Sequence, residues 1–469
     1  MSEIRLFPDQ QETIDNLRGS LRRNKWVLMQ CPTGWGKTVG GAYLIKSALD
    51  KGKKAIFTVP RKELLRQTSL TLEKFGIPHS YIAAGRPFNP YAKIYIGMVE
   101  TLARRVGKIP KVDLVIVDET HFGSGSLGAV IDHFKEQGAF GVGLSATPWK
   151  LNGKGLGCWY DDMVQGQSIR WLIDNKRLSD YELYAGRTRP DLSGIKVAGG
   201  DYAKGELSDF MEHQGVIIGD CVSEYRSRCM GRLHIVRAVS IKHSQMIAES
   251  FRNEGVPAAH VDGTTEADEL KKIVRAYARR ELKVLTFCEL LGFGFDLSAA
   301  SGMDVCIESG SDLRPSKSLS GQMQYWGRML RYKDYPAIIN DHVNNFIEHG
   351  LPCDDRDWTL HDRVQGKRNT ERAPPTRQCD SCFHIHSPAP QCPKCGHVYE
   401  VKYRDVDEVD GQLEKVDKEV ARKSKRMEQG KAETLDDLIA LGLSRGYKNP
   451  VAWATHILSA RMQKEMRAG

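Results

Sequence analysis

The sequence predicts an α/β protein built from two tandem parallel-sheet lobes, and three observations carry that expectation. Short apolar runs alternate with helix-length stretches through the first half of the chain and again from about residue 234, the pattern of parallel βαβ units. A glycine-rich turn ending in Lys37-Thr38 follows the first of those runs and opens a helical stretch; strand, loop and helix in that order are the context a phosphate-binding loop needs. The 469 residues exceed one ordinary core and imply about three domains, at ~150 residues each.

In the first lobe, Trp26–Cys31, Ala55–Val59, Ile94–Val99, Leu114–Val117 and Val142–Leu144 read as buried strands, with Thr38–Asp50 and Lys62–Lys74 as helices between them. The second lobe repeats the alternation with His234–Ser240, Ala258–Val261, Lys283–Phe287, Asp304–Glu308 and Ala337–Asn340. Residues 1–178 are expected to form lobe 1, 179–214 an inter-lobe connection richer in Gly and charge, and 215–352 lobe 2. A linker spans 353–376, with a basic stretch from Arg363 to Arg377 that carries Pro374-Pro375; two CxxC pairs define a ribbon over 377–400, and 401–469 read as a charged linker followed by C-terminal helices. Those helices are predicted at Leu435–Leu443 and Val451–Met462, broken at Gly446 and Pro450.

Composition narrows the partners. A net charge of +9 favours a polyanion, although spread over this length it is modest. No run of about 18 apolar residues occurs, so no membrane partner is expected. The first residues lack the basic and apolar regions of a signal peptide. Seven of the eleven cysteines are scattered and four form the CxxC pairs, the usage of a reducing cytosol with one metal site rather than a disulfide framework.

The phosphate loop is Cys31-Pro-Thr33-Gly34-Trp-Gly36-Lys37-Thr38. Gly34 and Gly36 let backbone N–H groups close around phosphate, and the helix N-terminus adds a favourable dipole. Lys37 is placed to reach the β- and γ-phosphates of ATP, and Thr38 to ligate Mg²⁺. Asp118 and Glu119 end a strand of nearly pure Val, Leu and Ile, where α/β sheets present ligands. Asp118 is expected on Mg²⁺, and Glu119 on the attacking water.

Cys379-x-x-Cys382 and Cys392-x-x-Cys395 are nine residues apart. Each pair can turn both sulfurs toward one ion, and together they complete a tetrahedron suited to Zn²⁺. His384, His386 and His397 are read as spectators. So small a segment has little core of its own, so metal binding, worth ~10–16 kcal/mol in zinc-finger peptides, would largely fold it.

Taken in order, the phosphate loop, Val117-Asp118-Glu119-Thr-His121, Ser145-Ala146-Thr147 and Gln324-Tyr-Trp-Gly-Arg328-Met-Leu-Arg331 resemble helicase superfamily 2 over about residues 4–335. The likeness is greatest to its DEAD/DEAH-type branch of bacterial and phage helicases, type III restriction motors and related repair enzymes. The resemblance implies two RecA-like lobes closing on ATP·Mg²⁺. It implies that Gln10 reads adenine, that His121 senses the opposite lobe, and that Ser145-Ala146-Thr147 couples hydrolysis to lobe movement. Arg328 and Arg331 are three residues apart, so on a helix they share one face, and the resemblance further implies that Gln324 lies near the γ-phosphate, with Arg328 and Arg331 stabilising it as fingers in cis. Asp296, in Leu290-Leu-Gly-Phe293-Gly-Phe-Asp296, is carried over to the ATP site, while Phe293 stands where that branch commonly has an acid. Arg61, Arg104, Arg105, the turn at Ser240–His243 and the stretch His260–Thr265 match segments that touch nucleic acid.

The activity implied is an ATP-dependent helicase or translocase on nucleic acid, DNA before RNA, in a bacterial or phage-infected host cytoplasm. A duplex translocase without strand separation, an RNA helicase and an ATP-gated clamp or loader are the alternatives. A protein partner is expected, if anywhere, at the ribbon or the C-terminal helices.

Overall fold

The computed structural model of the chain describes residues 4–150, 152–186, 192, 194–212, 221–289, 297–362, 376–379, 381–387, 389–399, 432, 434–444, 450–451, 453–455 and 457–458. Its larger unit, residues 1–399, holds two large sheets and a two-stranded one.

The first sheet contains β1 (Trp26–Gln30), β2 (Ala55–Val59), β3 (Ser80–Ile82), β4 (Ile94–Met98), β5 (Leu114–Val117), β6 (Phe140–Ser145) and β7 (Asp162–Gln165). They are parallel throughout, in the order β3-β4-β2-β5-β6-β1-β7. Alternate residues of one strand serve opposite faces. Val27 and Met29 join Phe57, Ile96 and Leu144 on one side, while Trp26 and Leu28 join Ile56, Tyr95 and Val117 on the other. Helices Pro8–Leu21, Lys37–Asp50 and Lys62–Lys74 cover the first face, and Gly125–Glu136 covers the second. Burial on both faces is why these strands read as continuous apolar runs.

The second sheet contains β8 (Tyr181–Ala185), then, after a small hairpin of β9 (Val197–Ala198) and β10 (Asp201–Tyr202), β11 (His234–Arg237), β12 (Ala258–Val261), β13 (Val284–Phe287), β14 (Ser309–Asp312) and β15 (Ala337–Asp341). Its order is β12-β13-β11-β14-β15-β8, extended by the ribbon strands β17 (His384–His386) and β16 (Arg377–Gln378).

Two features differ from the expectation. The connection expected over 179–214 supplies β8, a full strand parallel to β15, because Leu183 and Ala185 bury in the same core as Ile339. The strand expected at Asp304–Glu308 is displaced to the polar run Ser309-Gly-Ser-Asp312. That polarity is tolerated centrally because its groups are paired. His234 Nδ1 lies 2.8 Å from Ser309 Oγ, its Nε2 lies 3.1 Å from Ser311 Oγ, and Asp312 meets Arg237.

β17 runs antiparallel to β8 and so covers what would be an open sheet edge. After helix Asn345–His349 the chain leaves lobe 2 and straps back onto lobe 1. Gly157 N donates to Leu360 O at 2.9 Å, Gly155 N to Asp362 Oδ1 at 2.8 Å, and Trp149 Nε1 to His361 O at 3.0 Å. In the smaller unit, helix Leu435–Ser444 buries Leu438 with Ala432 and Ala454. Residues 450–451, 453–455 and 457–458 are helical, and the rest of the helix expected at 451–462 lies outside the described residues. Among the described residues no helix is long and apolar enough to cross a membrane.

Candidate nucleotide site and metal centre

β1 delivers the chain into a loop whose two glycines are both left-handed, Gly34 at φ 90° and Gly36 at φ 99°. An L side chain is disfavoured there, and at Gly36 a Cβ would also stand 2.8 Å from Gln10 Nε2. Lys37 Nζ donates to the Cys31 carbonyl at 3.2 Å, curled over its own loop.

Gln10, deeply buried, ties the first helix to this loop. Its Oε1 accepts from Phe7 N at 3.0 Å, and its Nε2 donates to Trp35 O at 2.7 Å. Beside it Arg177 forms an ion pair with buried Asp9, and its guanidinium lies 3.5 Å from the centre of the Phe7 ring. Arg177 was not legible as a site residue, because Asp9 is 168 positions away.

Asp118 and Glu119 follow β5 at the same end of the sheet. Burial, and after it the Glu119 carboxylate, push the Asp118 carboxyl up to about 7 against the pull of Lys37. Glu119 itself is left-handed at φ 48°, a conformation uncommon for a non-glycine residue.

His121, fully buried, is held below the usual imidazole range by that burial, although Glu119 opposes the shift. Its tautomer follows from its neighbours. The Ser145 hydroxyl donates to Thr147 O at 2.6 Å, so Ser145 Oγ must accept from His121 Nδ1–H at 3.1 Å. The same nitrogen is 3.3 Å from Glu119 Oε2. Nε2 is thereby left as an acceptor, and Gln324 Nε2 of the second lobe donates to it at 3.3 Å. Gln324 Nε2 also lies 3.4 Å from Glu119 Oε2. The acidic segment, the Ser145–Thr147 turn and Gln324 therefore form one hydrogen-bonded chain across the two lobes.

Helix Leu319–Met329 brings Gln324 and Arg328 to this position, and Gly327 stands against Thr33 of the phosphate loop. Arg331 does not share that helix as its spacing implied. It follows the helix end, bridges Leu178, and its NH1 lies 3.5 Å from Ser298 Oγ. The helix is oriented by a buried network. Arg237 Nε donates to Asp312 Oδ1 at 2.8 Å, Gln322 Nε2 to Asp312 Oδ2 at 3.0 Å, and Asn345 Nδ2 to Asp312 Oδ2 at 2.9 Å. Asp296 and Phe293 lie outside the described residues.

Of the expected nucleic-acid contacts, Arg104 and Arg105 are exposed, and Arg61 is half-buried with its guanidinium over Phe122. His243 is fully buried, so its side chain is part of the lobe 2 core. Asp262 consolidates its own turn, accepting from Thr264 N at 2.6 Å and Thr265 N at 3.1 Å.

The four cysteine sulfurs lie within 4.8 Å of one another. Each CxxC makes the same turn. Phe383 N donates to Cys379 O and Gly396 N to Cys392 O, both at 2.9 Å, and Phe383 and Gly396 are both left-handed. Two matching turns with convergent sulfurs fit a tetrahedral thiolate-bound ion. None of the three neighbouring histidines belongs to that group. His386 Nε2 instead meets Tyr399 OH at 2.6 Å.

The two parallel sheets and the glycine-rich loop after β1 are the fold of a two-lobed P-loop protein. The family model of the type III restriction enzyme res subunit matches residues 3–150. A 51.5 kDa protein of a Lactococcus phage (isolate 7-9) is 31% identical over 399 residues, spanning 84% of this chain and 82% of the relative. A putative mitochondrial ATP-dependent helicase irc3 of Schizosaccharomyces pombe is 23% identical over 318 residues, 63% of this chain and 51% of that protein. The structure of the ATP-dependent type ISP restriction-modification enzyme LlaBIII bound to DNA overlays with a TM-score of 0.50 at 16% identity, covering 71% of this chain and 27% of that one. The chain belongs to helicase superfamily 2, a class of ATP-hydrolysing nucleic-acid motors, and shares a family with the lactococcal phage protein.

Proposed function

We propose that the protein is an ATP-driven DNA helicase or translocase. The observation that carries this reading is the hydrogen-bonded chain from Ser145 through His121 to Gln324, which makes the catalytic acid's surroundings depend on the position of the second lobe. In this reading Gly34, Gly36, Lys37 and Thr38 cradle the phosphates, with Thr33 at the closing seam. Thr38 and Asp118 would hold Mg²⁺, and Glu119 would orient the attacking water. Arg328 and Arg331 neutralise charge that develops on the γ-phosphate. Gln10, with Phe7 and Arg177 beside it, forms the adenine end of the site, and Asp296 serves the coupling segment.

Lys37, now bonded to the Cys31 carbonyl, must swing onto the phosphates when nucleotide arrives. Closing the cleft fixes Gln324 against His121, and loss of phosphate releases it, so each turnover opens and closes the lobes. Cys379, Cys382, Cys392 and Cys395 would hold Zn²⁺ as a structural ion, because four thiolates leave no open position for chemistry. DNA is preferred over RNA on the likeness to restriction motors.

The test is steady-state ATPase with no polymer, single-stranded DNA, duplex DNA and single-stranded RNA, alongside Lys37→Ala. Stimulation by DNA is expected. Stimulation by RNA alone would reassign the track, and turnover indifferent to every polymer would reject the motor.

A further inference from the structure

The hollow at the β3 edge of lobe 1 has no part in the nucleotide site, and its chemistry is distinctive. It measures about 600 Å³ and is lined by Ile82, Phe88, Arg104, Arg105, Lys108 and Ile109 among others. Arg104, Arg105 and Lys108 are exposed, and among the described residues no carboxylate pairs with any of them. A second hollow of about 420 Å³, on the other side of Phe88, is lined by His79, Tyr81, Asn89 and Lys93 and contains no acid. Phe88 is thus a ridge between two hollows with only cationic or neutral walls.

The ridge is held in place. Asn89 N donates to Ser80 Oγ at 2.7 Å, Tyr91 N to Asn89 Oδ1 at 2.9 Å, and Tyr95 OH to Pro90 O at 2.9 Å. The Phe88 ring rests 6.1 Å from that of Tyr95, yet 46% of the residue remains exposed. A lone exposed aromatic is ordinary on a surface. One that is braced by its own loop, between hollows and beside three unpaired cations, has the make-up of a stacking platform with an electrostatic track. Its loop leaves the C-terminal end of β3, and Arg104 and Arg105 follow the C-terminal end of β4. From there the loop turns back along the sheet, and Phe88 and Asn89 stand beside Ser80 and Tyr95 at the N-terminal ends of β3 and β4.

We infer that Phe88 stacks on a base of single-stranded nucleic acid whose phosphates are followed by Arg104, Arg105 and Lys108. The inference rests on the motor reading and adds a base contact to what is otherwise phosphate binding. The braced loop lowers the ordering cost of that contact, and any base satisfies it because every base has a π-face.

The test compares binding of the full chain to a labelled oligo-dT and to an abasic deoxyribose-phosphate oligomer of equal length, with Mg²⁺ and a non-hydrolysable ATP analogue. Wild type is expected to prefer oligo-dT by about five- to 150-fold, the range of one base–aromatic stack. Phe88→Ala should erase the preference while keeping abasic affinity, and Phe88→Tyr should restore it. Arg104→Ala should weaken both ligands and lower the log–log salt slope by about 0.7. Equal wild-type affinity for both ligands, or a Phe88→Ala loss shared equally by both, overturns the inference and leaves the motor reading standing. Failure of wild type to bind either oligomer also overturns the inference, and stimulation of ATPase by duplex DNA then decides separately whether the motor reading stands.

Discussion

Gln324 reaches from the second lobe to His121 of the first, its amide nitrogen 3.3 Å from the imidazole Nε2 and 3.4 Å from a Glu119 carboxylate oxygen. Since Ser145 fixes the imidazole tautomer, this amide is a preorganised donor rather than a surface contact. Gln324→Ala should reduce kcat for ATP by about 10²-fold, the usual effect of removing one such donor. Gln324→Glu should be worse, because it sets a second carboxylate against Glu119. Both variants should retain nucleotide binding by equilibrium dialysis, and a Gln324→Ala enzyme with wild-type kcat would remove the bridge from the mechanism.

Gly327 marks how closely the lobes approach. A Cβ there would stand 2.5 Å from Thr33 Cβ, a separation that packed atoms do not adopt. Gly327→Ala should therefore penalise only the closed arrangement, by about 1–3 kcal/mol for an overpacked contact. That corresponds to roughly a five- to 150-fold fall in turnover. The melting temperature should stay near wild type. A variant that loses stability but keeps turnover would place the glycine in folding instead.

The nucleotide loop was legible because everything it needs is local. A buried run, two glycines, Lys37 and a helix lie within one stretch, and period and spacing report them directly. The convergence of the four cysteines was equally visible in their spacing. What sequence could not show depends on partners far along the chain. β8 is a strand only because β15 lies beside it, and β14 is polar because His234 and Arg237 stand opposite its side chains. The i, i+3 spacing of Arg328 and Arg331 suggested one face, but the helix stops at Met329 and Arg331 turns to Leu178 and Ser298. Ser240–His243 matched a contact motif, yet a tertiary core claimed His243.

Acid stability follows from three histidines of lobe 2, two of them buried and the third, His342, half-buried. Burial pushes His234 down to about 3, and His243 and His342 to about 4. An unfolded histidine titrates near 6.5, so between about 6.5 and 4 the unfolded chain binds protons that the folded chain refuses. Stability contributed by these groups is therefore full above pH 6.5 and lost as pH falls through that window. The loss approaches ~1.4 kcal/mol per pH unit for each histidine. His243→Leu removes one contributor whose ring nitrogens have no hydrogen-bond partner among the described residues. Its melting temperature should fall less steeply with acid than wild type. A parallel decline in the two proteins would contradict the assignment of His243 to this slope.

The ribbon should behave as part of lobe 2. β17 pairs with β8, Gln378 Nε2 donates to the Ala185 carbonyl, and Lys394 forms an ion pair with Glu182. Removing Zn²⁺ with a chelator, or replacing Cys392 by Ser, should unfold the ribbon and uncover the β8 edge. Faster amide exchange at 181–185 is the expected signature, together with release of about one zinc per chain, since four thiolates hold a single ion. Exchange that changes only within 377–399 would make the ribbon an independent appendage.

The strap from lobe 2 lies back on lobe 1 just beyond the Ser145–Thr147 turn. It is anchored at its origin by Arg356, whose NH2 donates to the carbonyls of His349 and Leu351 at 2.9 and 2.8 Å. At its far end Trp358 packs on Trp149 with ring centroids 5.0 Å apart, two residues beyond the Ser145–Thr147 turn. A Cβ on Gly155 would meet the Leu360 carbonyl oxygen at 2.1 Å, so that glycine is required for the strap to lie down. Trp358→Ala should cost about 1–2 kcal/mol of stability, because the ring is only partly buried. It should also let the cleft open more widely, raising KM for ATP several-fold while kcat at saturation changes little. Gly155→Ala lifts the same strap by a different route and should reproduce that kinetic pattern. A stability loss with unchanged KM in both variants would reduce the strap to packing, whereas matching KM increases would make it the element that limits how far the lobes separate between turnovers.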